Sequence, residues 1–119
     1  MGTRELGRFG EERAARYLRL RGYRILERNF SCRLGEIDLI ARRGKYIVFV
    51  EVKLRKNADF AAAREFVTAA KQQRIRATAA LYLAQNETEL QPRFDVIEIY
   101  APEGPGGKVT INHIENAFE

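Results

Sequence analysis

The fold of this 119-residue chain is decided by two adjoining segments, Gly35-Glu-Ile-Asp38-Leu-Ile-Ala41 and Tyr46-Ile-Val-Phe-Val-Glu51-Val-Lys53. Both are rich in β-branched and aromatic residues, which predicts strands over residues 36–42 and 46–54. Only Arg43-Gly44 are needed to separate the two strands. They are therefore expected to form a hairpin of antiparallel neighbours.

This hairpin predicts where the charged side chains lie, because side chains on a strand alternate between its two faces. With Arg43-Gly44 as a two-residue turn, residue 38 faces residue 49 and residue 36 faces residue 51. Asp38 is then diagonal to Glu51, about 7–8 Å away at the backbone, and Lys53 projects beside them. Glu36 stands almost opposite Glu51, either near a shared cation or in solvent at the strand end.

Glu51 and Lys53 interrupt a strand whose preceding residues are typical of a fully buried position. Burying unpaired charges costs several kcal/mol, so the pattern requires an explanation. One interpretation is an ordinary Glu51–Lys53 ion pair at the end of a strand. The other is a functional site that also uses Asp38 on the adjoining strand. Three ionisable groups converge by chance less often than two, which favours the functional interpretation.

Outward from the hairpin, periodicity predicts an α/β domain of order α-β-β-β-α-β-β with a central mixed sheet. The strand after the second helix is a candidate parallel partner of the third strand, by a right-handed crossover. Thr68 is a suitable N-cap for the second helix, and a helical turn is expected before it at residues 61–66. The predicted elements are a helix over 4–21 ended by Gly22, strands over 23–30, 36–42 and 46–54, a helix to residue 84, and strands over 93–100 and 109–114. Residues 1–119 are expected to form one domain.

Charge is unevenly distributed along the chain, whose formal net charge is +5. Residues 1–86 hold 19 basic and 9 acidic groups, whereas residues 87–119 hold 2 and 7. A basic surface of that size attracts polyanions such as nucleic acid, although it is equally compatible with an ordinary solvated surface. Charge alone does not decide between the two.

Several classes of protein are disfavoured by simple features of the sequence. No apolar run approaches the roughly 20 residues of a membrane span, and the first residues lack the apolar region of a signal peptide. Cys32 is the single cysteine and cannot form an internal disulfide, which suits a reducing cytoplasm. Neither Cys32 nor His113 has companions at metal-ligand spacing, so zinc or thiol catalysis is not expected.

Asp38, twelve intervening residues and then Glu51-Val-Lys53 resemble the PD-(D/E)XK signature of nucleases, with Ile37 in place of the leading proline. Gly7-Arg-Phe-Gly-Glu11 through Gly22 resembles the opening helix of archaeal Holliday-junction resolvases. Nearly the whole chain is similar to the bacterial YraN-like family. Further residues that carry this similarity are Lys71, Arg93-Phe-Asp-Val96 and Ala117-Phe118, whereas Ala61 and Ala63 stand where the family often has Gly and Pro.

The resemblance implies a restriction-endonuclease-like three-layer domain that hydrolyses DNA phosphodiesters, with branched DNA as a candidate substrate. Mg²⁺ or Mn²⁺ is expected on Asp38, Glu51 and the carbonyl of Val52, because hard cations prefer oxygen ligands. Lys53 is expected to orient or help deprotonate the attacking water and to offset charge in the transition state. A helix glutamate joins the site in the resolvases, and Glu11 is the better candidate here. Glu12 has arginines four residues away on either side and suits exposed ion pairs.

The expected partner is nucleic acid, with DNA favoured over RNA and no membrane association. Phosphate contacts are predicted, with solvated surface charge as the alternative for each, from Arg55, Lys56, Lys71, Gln72 and Arg74. A homodimer is a further expectation from the resolvases, with Phe60, Phe66 or the final strand as contact surfaces. Three alternatives to a DNA nuclease stay open: a non-catalytic nucleic-acid-binding module of the same fold, an RNA nuclease, and a structural partner in a larger complex.

Overall fold

A computed structural model describes residues 3–55 and 67–119 of the chain. The predicted order of elements, α-β-β-β-α-β-β, is confirmed. The elements are α1 (Thr3–Leu20), β1 (Arg24–Cys32), β2 (Gly35–Arg43), β3 (Tyr46–Arg55), α2 (Ala69–Gln85), β4 (Gln91–Tyr100) and β5 (Thr110–Phe118). Lys56, Phe60, Phe66 and the helical turn predicted over residues 61–66 lie outside the described residues.

The five strands form one mixed sheet in the order β1-β2-β3-β4-β5. Strands β1, β2 and β3 are antiparallel neighbours, β3 and β4 are parallel, and β5 returns antiparallel to β4. The parallel pairing of β3 with β4 agrees with the crossover predicted through the helix between them. One core cluster joins α1 to one face of the sheet, and a second joins α2 to the other face. The α/β fold therefore has three layers, helix, sheet and helix.

The first helix ends at Gly22, as predicted. Gly22 adopts φ 89°, a left-handed conformation that costs a residue without Cβ little. Its N–H donates to the carbonyl of Arg19, and the N–H of Tyr23 donates to the carbonyl of Leu18. These two bonds form a Schellman motif, which satisfies carbonyls at the helix end and turns the chain into β1. Neither α1 nor α2 is long and apolar enough to cross a membrane.

The register of the β2–β3 hairpin differs from the prediction by two residues. Arg43 pairs with Tyr46, so the turn consists of Gly44 and Lys45 rather than Arg43 and Gly44. Gly44 adopts φ 57°, which suits the first central position of a tight hairpin turn. The predicted partners were therefore wrong, although a shift of two residues leaves Asp38 and Glu51 on the same side of a regular ladder.

The observed register changes which residues face Glu51. Ile40, not Asp38, pairs with Phe49, and the ladder ends with the pair Leu39 and Val50. Continued by one step, this register places Asp38 directly opposite Glu51. Glu36 was predicted to face Glu51. It is exposed and lies two residues before Asp38 on β2.

The last strand is longer than predicted, because it continues past a local irregularity. Asn116 adopts φ 51°, and the pairing of β4 with β5 shifts between Phe94 and Val96. The Asn116 N–H donates to the Asp95 carboxylate at 3.0 Å, which replaces the interrupted ladder bond. The strand can therefore resume and stack Phe118 on Phe94.

Candidate active site where β2 and β3 separate

The candidate site begins at a break in the alternation of β2. Ile37 packs with Ile40 in the core cluster beneath α2, whereas Leu39 packs in the cluster beneath α1. Strict alternation would place Ile37 and Leu39 on the same face. The strand is therefore irregular around Asp38, where its pairing with β3 also ends.

A side chain takes over the main-chain bonding at this break. The N–H of Val52 donates to Asp38 Oδ2 at 2.7 Å. In a strand, the N–H and the carbonyl of one residue point towards the same neighbouring strand. The Val52 carbonyl, predicted as a metal ligand, therefore faces the same side of β3 as the Asp38 carboxylate.

Asp38 and Glu51 form a pair of buried carboxylates. Asp38 is 9 % exposed and Glu51 is 7 % exposed. Burial, the charge of Glu51 and weaker effects of Glu11 and Glu36 raise the pKa of Asp38 to about 7, against the opposing Val52 hydrogen bond. Among the described residues, no lysine or arginine lies within 4.0 Å of the Asp38 carboxylate. Two acidic groups thus share a site, and within residues 3–55 and 67–119 only Glu51 of the two has a cation at ion-pair distance.

Two lysines approach Glu51 from different elements. Lys71 Nζ of α2 lies 2.6 Å from Glu51 Oε1, and Lys53 Nζ lies 3.5 Å from the same oxygen. Burial and the neighbouring Lys71 lower the pKa of Lys53. Burial also opposes the charged form of Lys71, but hydrogen bonds with Glu51 and Lys53 raise its pKa. The two ammonium groups therefore differ, and Lys53 is the one more easily deprotonated.

The position of Lys71 is unfavourable for its helix and is explained by Glu51. Thr68 caps α2, as predicted, and its hydroxyl accepts the N–H of Lys71 at 3.2 Å. This position commonly carries Glu or Gln, and a cation there opposes the helix dipole. Lys71 was predicted only as a phosphate contact, so its pairing with Glu51 was missed. A lysine at the acidic position of a capping box was the available signal.

The two glutamates of α1, Glu11 and Glu12, differ in exposure and in their surroundings. Glu11 is half-buried, and its charge is one of the weaker causes of the raised pKa of Asp38. Glu12 is exposed and forms an ion pair at 2.6 Å with Arg28 of β1. The expectation of an ion-paired Glu12 holds, but its observed partner lies on the adjoining strand rather than on its own helix.

The predicted phosphate contacts occupy dissimilar environments. Arg55 is 15 % exposed, with its Nε 3.3 Å from Glu98 Oε2, so its charge is offset within the protein. Gln72 donates its side-chain amide to the carbonyl of Val67. Arg74 is exposed on α2, and its Cβ lies close to Gly35 at the start of β2. Of these three, Arg74 is the one available to an external anion.

Comparison with known proteins gives the family. Residues 10–99 match the family described as uncharacterised protein family UPF0102. A UPF0102 protein of Caldanaerobacter subterraneus subsp. tengcongensis is 47 % identical over 119 residues, covering 99 % of this chain and 98 % of the relative. The chain belongs to the UPF0102 family. A UPF0102 protein of Symbiobacterium thermophilum is 48 % identical over 117 residues, covering 98 % of both chains. The YraN-like resemblance is thereby confirmed at the level of the family.

The donor atoms of the UPF0102 site determine which cation it fits. Among residues 3–55 and 67–119, no three His, Cys, Asp or Glu side chains are grouped as metal ligands. The site instead offers the oxygen donors of Asp38 and Glu51 and the main-chain carbonyl of Val52. Mg²⁺ and Mn²⁺ fit such a set, because Mg²⁺ usually takes one or two carboxylates and keeps several waters.

A second buried polar cluster of the UPF0102 chain was not predicted. Asp95, fully buried on β4, accepts from Arg93 Nε at 2.9 Å and lies 2.7 Å from His113 Nε2. Burial would raise the pKa of Asp95, but hydrogen bonds from His113, Arg93 and the Asn116 N–H lower it. Arg93 also donates to the Tyr23 hydroxyl at 2.7 Å. The cluster ties β4 and β5 to the start of β1, and the acidic residue within the apolar run of β4 was its sequence signal.

Proposed function

We propose that this UPF0102 protein is a metal-dependent nuclease of the PD-(D/E)XK superfamily that hydrolyses DNA phosphodiester bonds. The observation that carries the proposal is the buried Asp38–Glu51 pair, in which Asp38 has no cation within ion-pair distance among the described residues. Adjacent carboxylates repel unless a proton or a cation lies between them. A divalent ion removes that repulsion and uses both groups as ligands.

An ordinary structural ion pair does not explain the whole arrangement. It accounts for Glu51, which is paired with Lys53 and Lys71. It does not account for Asp38, whose pKa is raised and whose carboxylate accepts the main-chain N–H of Val52. An ion pair also gives no reason for the irregularity of β2 around Asp38.

In the proposed mechanism, Asp38, Glu51 and the Val52 carbonyl would hold Mg²⁺ or Mn²⁺, which would supply the charge that polarises a phosphate and activates a water. Lys53 orients that water, and its lowered pKa lets its Nζ accept a proton at less alkaline pH than an ordinary lysine. Lys71 and Arg74 bind phosphate oxygens beside the scissile bond. In this proposal Glu11 helps to orient the groups around Asp38, whose pKa its charge helps to raise.

The proposed partner is nucleic acid, with DNA ahead of RNA, in the cytoplasm. Branched DNA is the proposed structural preference, by resemblance to the resolvases. The homodimer expected from the same resemblance stays a prediction. A non-catalytic module of the same fold would bind the same partner without cutting it, so cleavage is the property that separates the two.

The decisive experiment incubates labelled branched, single-stranded and duplex DNA, and matching RNA, with Mg²⁺ and with Mn²⁺. We expect metal-dependent cleavage of DNA that Asp38→Asn abolishes. Glu36→Gln is the matched control, because Glu36 is an exposed acidic residue two positions away on the same strand. Cleavage that survives Asp38→Asn, or DNA binding by the wild type without any cleavage, contradicts the proposed nuclease.

A further inference from the structure

A separate recess lies at the opposite end of β3 from the Asp38–Glu51 site. It has a volume of about 330 Å³ and is lined by Arg43, Gly44, Lys45, Tyr46, Arg93 and Glu115. Tyr46 precedes Glu51 by five residues on one strand, so at about 3.3 Å per residue roughly 17 Å separate the two places. We call this the turn recess, since the Gly44-Lys45 turn of the β2–β3 hairpin forms part of its wall.

The cations of the turn recess are held by aromatic rings. The Arg93 guanidinium lies 5.0 Å from the centroid of the Tyr46 ring, and Lys45 Nζ lies 5.3 Å from the same centroid. The Arg43 guanidinium lies 5.2 Å from the centroid of the Tyr23 ring. Cation–π contacts of this kind favour one placement of side chains that otherwise rotate freely. The positive groups are thus positioned in advance of any ligand.

Arg93 lines the turn recess, and its Nη1 faces Glu115 rather than Asp95. Its Nε and Nη2 donate to the buried Asp95 carboxylate, which fixes the plane of the guanidinium. Its Nη1 lies 4.0 Å from Glu115 Oε2, at the limit of an ion pair. The Glu115 side chain is 57 % exposed and can turn into solvent at little cost. Glu115 is therefore the group that an anionic ligand would displace.

The segments of the chain that adjoin the turn recess are rich in basic residues. Residues 13–26 contain five arginines and no acidic residue, and residues 39–50 contain three basic residues and only uncharged ones besides. Arg24 pairs with Arg42 across β1 and β2, and both are exposed. Positive charge that extends this far beyond the recess attracts a polyanion more strongly than it attracts one small anion.

We propose that the turn recess binds phosphate groups of a nucleic acid backbone, at a distance from the site where the bond is cut. The choice of partner rests on the proposed function. Phosphate is favoured over a nucleobase because Tyr23 and Tyr46 each already carry two cations, which leaves them poor stacking platforms. Roughly 17 Å corresponds to about five base pairs along a duplex axis, so one short duplex reaches both places.

The test measures binding of a labelled duplex in EDTA, by anisotropy over a series of salt concentrations. The double variant Arg43→Gln/Lys45→Gln is expected to raise the Kd about tenfold and to reduce the salt slope by about one for each phosphate that is no longer neutralised. Glu115→Gln is expected to lower the Kd. These opposite signs follow from the charges that line the recess.

Matched controls remove equal charge elsewhere on the protein. Arg4→Gln/Arg8→Gln removes two exposed positive charges from the start of α1, outside the basic stretch of residues 13–26, and Glu103→Gln removes an exposed negative charge after the end of β4. Changes in Kd as large in the controls as in the recess variants show diffuse attraction and overturn the proposal.

A second measurement follows the amide resonances of Gly44 and Lys45 by NMR. Shifts of these resonances with duplex, and none with inorganic phosphate at equal phosphate concentration, support a backbone ligand. Equal shifts with both overturn it.

These outcomes are independent of catalysis. If the wild type cuts DNA but the recess variants bind like the controls, the turn recess is wrong and the nuclease stands. If the wild type never cuts DNA but the recess variants bind selectively more weakly than the controls, the nuclease is wrong and the turn recess stands.

Discussion

The carboxylate of Asp38 accepts the main-chain N–H of Val52 at 2.7 Å, at the point where β2 and β3 cease to pair. One side chain therefore replaces the ladder bond that a regular hairpin would make. The bond holds the Asp38 carboxylate beside Glu51 without the help of a metal. In the metal-free protein this arrangement is unfavourable, because burial and the neighbouring Glu51 disfavour the ionised form of Asp38 and raise its pKa.

The metal-free protein is expected to lose stability as the pH rises from about 4 to above 7. Asp38 has a pKa of about 7 when folded and near 3.9 when unfolded, so the folded state binds the proton more tightly. Its contribution is fully present below the unfolded pKa and is lost as the pH passes the folded pKa. The shift corresponds to at most about 4 kcal/mol. Denaturant melts in EDTA across this range measure it.

Asp38→Asn is expected to flatten that pH dependence and to stabilise the metal-free protein at pH 8. The amide oxygen of Asn can still accept the Val52 N–H but never carries a charge beside Glu51. Active-site residues commonly give stability when removed. Glu36→Gln serves as the control and should leave the melt within about 0.5 kcal/mol. A less stable Asp38→Asn at pH 8 would show that the ionised carboxylate is a structural group.

Glu51→Gln is expected to have the opposite sign from Asp38→Asn in the metal-free protein. Removing the Glu51 charge leaves the ammonium groups of Lys53 and Lys71 together without their shared partner. The loss amounts to about 1–3 kcal/mol, reduced because Asp38 then ionises more easily. Thermal melts with and without Mn²⁺ check this. Stabilisation by Mn²⁺ should appear in the wild type and be absent from both carboxylate variants.

Lys71→Met is expected to increase the stabilisation that Mn²⁺ provides. The Lys71 ammonium lies 2.6 Å from Glu51 Oε1, so an ion that takes this oxygen must first displace it. Without that competition the same Mn²⁺ concentration should produce a larger rise in Tm, while the metal-free protein melts lower. Arg74→Met, three residues along the same helix, is the control. If Mn²⁺ stabilises Lys71→Met no more than the wild type, the metal and Lys71 do not share that oxygen.

The order of the elements could be predicted because each one has a local signal. Gly22 ends α1, Thr68 caps α2, and the apolar run of β3 follows a two-residue turn. The face on which Asp38 and Glu51 lie could also be predicted, since alternation survives an error of two residues. The register of the hairpin could not, because Arg43-Gly44 and Gly44-Lys45 are both acceptable turns and the choice depends on tertiary pairing.

The other contacts that the sequence did not predict join residues that are distant along the chain. Lys71 meets Glu51 from 20 positions away, and Asp95 meets His113 from 18 positions away. Periodicity and spacing report on neighbours within one element, so they give no indication of such contacts. What the sequence did carry was an anomaly at each place: a lysine where a helix start favours an acid, and an aspartate within an apolar strand.

Asp95→Asn is expected to destabilise the protein far more than any change at the candidate active site. Asp95 is fully buried and is the acceptor for Arg93, whose side chain is 12 % exposed. Its removal leaves a nearly buried guanidinium without its carboxylate, which costs about 3–5 kcal/mol. Denaturant melts at pH 7 measure the loss. Glu115→Gln is the control, since it removes an exposed carboxylate 4.0 Å from the same Arg93 and should cost less than about 0.5 kcal/mol.

The same residue should govern the acid limit of stability, with a sign opposite to that of Asp38. Because hydrogen bonds from His113, Arg93 and the Asn116 N–H lower its pKa, the folded state binds the Asp95 proton more weakly than the unfolded state. Its stabilisation is present above about pH 4 and is lost as the pH falls through the folded pKa. Asp95→Asn should therefore weaken the fall in stability below about pH 4. Two results would show that the cluster around Asp95 does not hold β4, β5 and β1 together. One is an Asp95→Asn variant whose stability falls below about pH 4 as steeply as that of the wild type. The other is a loss of less than about 1 kcal/mol in the free energy of unfolding at pH 7.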